Sequence, residues 1–162
     1  MNFTQVKVKP VSLPEIVAPE LVIIRGLPGS GKSTYAKKNF PDHLHYEPDH
    51  LFCDTNGKYR FDLQLWDQAC EWTHRLTDFA LSRGENVVVS DVFATLDEIK
   101  PYRELVEYHS ASILLITIEG GSFKSIHHVP QFILQSMQDR FIPWIILKDY
   151  FEDGSCTYVD SK

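Results

Sequence analysis

Apolar residues along this chain gather in short, near-continuous runs. "ELVIIRG" (20–26), "NVVVSD" (86–91) and "ASILLITIEG" (111–120) are each closed by a glycine or an acid. Runs of that length, apolar on consecutive positions, predict strands buried on both faces. "LHYEP" is a second, shorter strand candidate, with Asp49 just past its end. Between the runs the period changes. Lys32 to about Phe40 predicts a helix stopped before Pro41. From Asp62 to about Arg83, Leu65, Ala69, Trp72, Leu76, Phe79 and Ala80 recur at helical spacing, with Asp62 to cap the start and Gly84 to end it. Trp66 and Trp72 on this segment suit core or interface packing better than a base-stacking platform. "LDEIKPYRELVEYHS" predicts a helix with Pro101 near its start or breaking it, and "PQFILQSMQDRF" another, from Pro130. The tail "DYFEDGSCTYVDSK" offers a turn at Asp153-Gly154 and a last strand.

Strands that alternate with helices predict an α/β fold, a parallel sheet of four or five strands with helices on both faces. Residues 1–20 carry Pro10, Pro14 and Pro19 and form an extended lead-in; residues 21–162 form a single domain. "LFCDTNGKYRFD" holds Asn56-Gly57 between apolar flanks, a hairpin signal. Its glycine stands fourth in "DTNG" and no glutamate closes the loop, so a turn fits better than a calcium site.

Charge and composition narrow the classes. The net charge of −6 and the absence of a basic run argue against a long nucleic-acid track. They leave open a strand end or a small acceptor. No apolar run reaches the roughly 18 residues of a membrane helix, and the first 20 residues lack a signal-peptide pattern. Cys53, Cys70 and Cys156 show neither a disulfide framework nor metal spacing, so inert thiols in a reducing cytoplasm, with no structural metal, are expected.

Candidate chemistry sits at the predicted strand ends, where open α/β sheets bind ligands. Gly26 to Ser33, "GLPGSGKS", fits G-x-x-x-x-G-K-[ST] between a strand and a helix. Gly26, Gly29 and Gly31 let the backbone wrap a phosphate, with Pro28 and Ser30 completing the loop; Lys32 should reach the β/γ-phosphates, and Ser33 should hold Mg²⁺. The fold is therefore expected to be a P-loop NTPase three-layer fold that binds ATP. Asp49 reads as a general base or as a turn former. Asp91 closes "VVVSD" as a Walker B acid does; it holds Mg²⁺ through water, orients an acceptor, or caps a loop. Arg140 is a lid arginine or a solvated helix residue. Lys124 is a weaker alternative to it, and His127-His128 reads as a surface pair. Arg25 suits packing or a salt bridge as well as a ligand.

"VIIRGLPGSGKSTYAKK", "EPDHLF", "NVVVSDVF" and "HHVPQFILQSMQDRF" follow one another in the order and spacing of the kinase domain of T-even bacteriophage polynucleotide kinase and its relatives. The chain resembles that family from about residue 21 to 142. The resemblance implies a P-loop enzyme that moves the γ-phosphate of ATP to a 5′-hydroxyl end of DNA or RNA. It assigns Lys32 and Ser33 to the phosphates and metal, Thr34 to a position that can meet the phosphates, Asp49 to the general base, Asp91 to the acceptor side and Arg140 to the lid. Two acceptor-side positions depart from the pattern. Phe52 stands where the family has an arginine, and Val92-Phe93 where it has Thr-Asn. An apolar Phe52/Phe93 pocket suits a modified base hydroxyl, a nucleoside or another small alcohol equally well. Three readings follow: a hydroxyl kinase of the polynucleotide type, a small-molecule kinase (nucleoside, nucleotide or toxin-type sugar-nucleotide), and a nucleotide-binding protein without transfer. The lack of an N-K-x-D motif speaks against a GTPase.

Overall fold

The computed structural model describes residues 17–119, 130–151 and 156–160. The lead-in up to residue 16, Lys124, His127-His128 and the Asp153-Gly154 turn lie outside the described residues. Five strands form one sheet: β1 (Glu20–Arg25), β2 (Leu44–Tyr46), β3 (Val87–Asp91), β4 (Ser112–Glu119) and β5 (Cys156–Asp160). Their order is β2-β3-β1-β4-β5, every pair parallel. The α/β expectation holds, with five strands rather than four.

The sheet is covered by α1 (Lys32–Asn39) on one face and by α2 (Trp66–Ser82), α3 (Leu96–His109) and α5 (Trp144–Tyr150) on the other. Period-two alternation sorts the strand residues. Leu21, Ile23, Val87 and Val89 pack with Ala80, Ile99 and Leu147; Val22, Ile24, Val88 and Ile116 pack with Ala36. A sheet buried on both faces is why these strands read as unbroken apolar runs.

Three elements differ from expectation. The long helix opens with a 3-10 turn, Leu63–Leu65, which Asp62 caps by accepting from the Gln64 amide at 2.9 Å. Its buried stripe is also rotated: Ala69, Thr73, Thr77, Ala80 and Leu81 face inward, while Trp72 and Phe79 are exposed. The two threonines tolerate full burial because each hydroxyl donates to the carbonyl four residues back, both at 2.9 Å. Pro101 neither starts nor breaks α3 but lies within it. Finally, α5 was not expected from the sequence; seven residues are too few to display a helical period.

Candidate functional site

β1 lies between β3 and β4, and its register sets Arg25 opposite both Asp91 and Thr117. The chain leaves β1 towards one side of the sheet and β3 towards the other, so a crevice opens beyond these carboxyl ends. The loop Gly26–Gly31 fills that position. Gly26 has to be glycine: a Cβ there would stand 2.5 Å from Ser30 Oγ and 2.6 Å from the Ile118 carbonyl. Gly29 (φ 81°) and Gly31 (φ 91°) occupy the left-handed region, which L side chains rarely adopt. Gly31 opens α1 with no side-chain cap and no acid in the first turn, so its amides and dipole face the loop uncompensated.

Lys32 Nζ donates to the carbonyls of Gly26 (2.8 Å) and Leu27 (3.2 Å). Burial lowers its pKa, against the charges of Asp91, Glu47 and Asp49, which raise it. Ser30 Oγ is buried with no hydrogen-bond partner among the described residues. A loop wrapped this closely, with an orphaned hydroxyl and open amides, fits a bound phosphate group. Ser33 offers a hydroxyl for Mg²⁺, an ion that usually takes few protein ligands and completes its shell with waters and phosphates.

The sequence-predicted acids converge on the same place. A cleft of about 1520 Å³ is lined by Pro28–Thr34, Asp49, Asp91 and Arg140 together. Gly26 shapes the loop from beneath but does not line the cleft. Asp49 lies in a 3-10 turn, Pro48–Phe52, directly after β2. Its Oδ1 accepts from the Tyr59 hydroxyl at 2.7 Å. Burial and that bond push the Tyr59 phenol up, so it stays protonated and donates. Tyr59 gets there because the Asn56-Gly57 turn folds its strand back, with Gly57 at φ 76° and a bridge between Cys53 and Tyr59.

Asp91 accepts from the Val92 amide at 2.7 Å. Burial raises its pKa to about 7; the Val92 bond and Lys32 act the other way, and Asp49 and Glu98 add to the rise. Arg140 is the last residue of α4 (Gln131–Arg140), exposed at the cleft, with Nε 3.3 Å from the Ser136 carbonyl.

Phe52 does not line the cleft, so the expected Phe52/Phe93 pocket is corrected. Phe52 is buried because the hairpin and the start of α2 close over it: Tyr59, Phe61 and Trp66 surround its ring, Trp66 parallel to it at 6.3 Å. Those three residues, not Phe52, present aromatic surface to the cleft. Phe93 does line it, buried against Tyr102, with φ 44°.

Glu47 escaped the sequence reading, and Arg25 was left there between packing, a salt bridge and a ligand role. Glu47 hydrogen-bonds Ser33 and lies 2.9 Å from His45 Nε2. Burial would raise its pKa, but the bonds from His45 and Ser33 prevail and hold it low. Arg25 is fully buried and donates from Nε to the Phe93 carbonyl (3.0 Å) and from Nη1 to the Ile142 carbonyl (2.9 Å), with its guanidinium 3.8 Å from the Phe141 ring centroid. It ties the P-loop strand to the loop after β3 and to the end of α4. An acid after a strand and an arginine within one carry no special signal, since both are ordinary at such positions.

A parallel sheet in this order, with a Walker-type loop at its switch point, defines an α/β domain of the P-loop class. The chain belongs to the AAA domain family, whose sequence profile matches residues 21–123. Human NEDD4-binding protein 2 is 32% identical over 98 residues; these make up 58% of this chain, which spans 6% of that protein's length. Two solved structures share the fold. Kti12 of Chaetomium thermophilum, in complex with ADP-AlF3, matches with TM-score 0.64 and 13% identity, over 88% of this chain and 89% of that one. A gluconokinase from Sinorhizobium meliloti 1021 matches with TM-score 0.54 and 19% identity, over 88% and 83%. Among the described residues no helix is long and apolar enough to cross a membrane.

Proposed function

We propose that this domain is an ATP-dependent phosphotransferase that moves the γ-phosphate to a hydroxyl acceptor. The observation that carries this is the opening of Lys32, Asp49 and Arg140 onto one cleft, with Asp49 close enough to act electrostatically on Lys32. The loop amides and Lys32 bind the triphosphate. Mg²⁺ on Ser33 would neutralise charge on the phosphates. Asp49 takes the proton of the acceptor hydroxyl as its oxygen bonds the γ-phosphorus and the bond to the ADP oxygen breaks. Arg140 meets the charge that develops on the leaving diphosphate, and Asp91 stands on the acceptor side.

The motif order shared with polynucleotide kinases supports a nucleic-acid hydroxyl, a 5′-OH end or a base, as acceptor. The acidic and aromatic lining supports a second reading, a small alcohol. Cys53 and Cys70 are free thiols, which suits a reducing cytoplasm. Asp49→Asn decides the core of the reading. It should leave ATP affinity within about twofold and lower transfer by roughly 10²- to 10⁴-fold. Transfer at the parent rate would remove Asp49 from the role of base.

A further inference from the structure

The acceptor end of the cleft has a chemistry that narrows the acceptor. This step rests on the phosphotransferase reading above. One wall is an aromatic panel. Phe61 and Trp66 both line the cleft, their ring centroids 6.1 Å apart, and Phe61 is 49% exposed. Phe52 is buried behind them, 5.1 Å from Phe61 and parallel to Trp66, and holds both rings in place; the planes of Phe61 and Trp66 are inclined at 57°, so they form a corner. Tyr59 packs on the same Phe52 ring at 6.2 Å and donates its hydroxyl to Asp49. Panel and base are therefore one hydrogen bond apart.

The other feature is charge. Asp67, next to Trp66 in α2, and Glu71, one turn further on, line the cleft with Glu98 of α3, in addition to Asp49 and Asp91. Cys70 lies among them: burial, then Asp91, Asp67, Glu98 and Asp49, push its thiol up to about 12. Lining cations among the described residues, Lys32, Lys38 and Arg140, come from the P-loop helix and α4. A phosphate beside the acceptor hydroxyl would face this carboxylate wall at a cost. A flat ring without charge would gain from the panel, where stacking is worth roughly 5- to 150-fold in affinity.

We propose that the acceptor is an uncharged alcohol carried on a planar ring, of the nucleoside class. Its ring stacks on the exposed Phe61, with Trp66 meeting its edge, and its hydroxyl lies at Asp49. Phosphate-bearing forms of the same ring are turned away by Asp67 and Glu71.

The test is a binding titration on the full chain loaded with Mg²⁺ and a non-hydrolysable ATP analogue. Tryptophan fluorescence is read against adenosine, guanosine, cytidine, uridine and thymidine, their 3′-phosphates, and a 5′-hydroxyl oligonucleotide. At least one nucleoside should bind ten-fold or more tightly than its 3′-phosphate. Phe61→Ala should weaken that nucleoside about ten-fold while ATP-analogue affinity holds, and Phe61→Leu should weaken it too in a chain that keeps its apolar volume. Asp67→Asn with Glu71→Gln should narrow the gap to the 3′-phosphate. The proposal is overturned if no nucleoside binds, if the 3′-phosphates or the oligonucleotide bind as well or better, or if the Phe61 variants change nothing. Binding is read without turnover, so the two readings fail separately. A nucleoside that binds but never receives label sinks the phosphotransferase reading, whereas label on oligonucleotides alone sinks this one.

Discussion

Asp91 makes a prediction independent of any acceptor. Its folded pKa, about 7, stands above the ordinary 3.8 because burial disfavours the charged form. Between those values the folded chain holds a proton that the unfolded chain has released. Stability from this group is thus fully present below about pH 4, falls as pH rises, and is gone above about 7. Asp91→Asn should flatten the part of the melting-temperature profile between pH 5 and 7.5 that Asp91 causes; a profile equally steep in the variant would refute the assignment. Tyr59 offers a second test. Tyr59→Phe removes the phenol from Asp49 Oδ1 and should lower kcat roughly tenfold with little change in ATP KM, since a charge-assisted bond that orients the carboxylate is lost. The glycine–lysine–serine pattern was legible because a phosphate cradle leaves few choices of residue. Asp49 and Asp91 were legible by position, at strand ends. Tyr59 was not, because its role depends on a hairpin that folds ten residues of chain back onto Asp49.

At the scale of elements, Arg25 carries the coupling. Its two carbonyl partners belong to the loop after β3 and to the segment after α4, so one buried guanidinium sets the relation between that loop and the end of the helix that carries Arg140. Arg25→Met should cost about 2–4 kcal/mol in urea unfolding, because two carbonyls lose their donor inside the core. Turnover should fall further than the unfolded fraction explains. An unchanged midpoint would mean the carbonyls find other donors. The strands were readable because both faces of the sheet are covered, and the four longer helices because a period, a proline start or, for α1, a stop before Pro41 shows. The inward face of α2 was misread since threonines that bond their own helix pack like apolar residues. Phe52 was misread for a related reason: its place in the family pattern gave its neighbours along the chain, not the ring stack that encloses it.

At the scale of the whole molecule, a parallel sheet carries the Gly26–Gly31 loop at its switch point, and α2, α3 and a hairpin line the cleft beside it. A ligand that binds only the folded chain stabilises it by about 2.7 kcal/mol at a hundred times its Kd. Mg²⁺ with a non-hydrolysable ATP analogue should therefore raise the melting temperature, and Gly26→Ala should abolish the rise by forcing a Cβ against Ser30 and the Ile118 carbonyl. The most direct measurement of the central claim is the fate of the γ-phosphate. Labelled ATP is turned over with nucleosides and a 5′-hydroxyl oligonucleotide present, and label is partitioned between acceptor and inorganic phosphate. Phosphorylated alcohol and ADP are expected in a one-to-one ratio, both lost in Asp49→Asn. Label confined to inorganic phosphate, at a rate indifferent to Asp49, would contradict it.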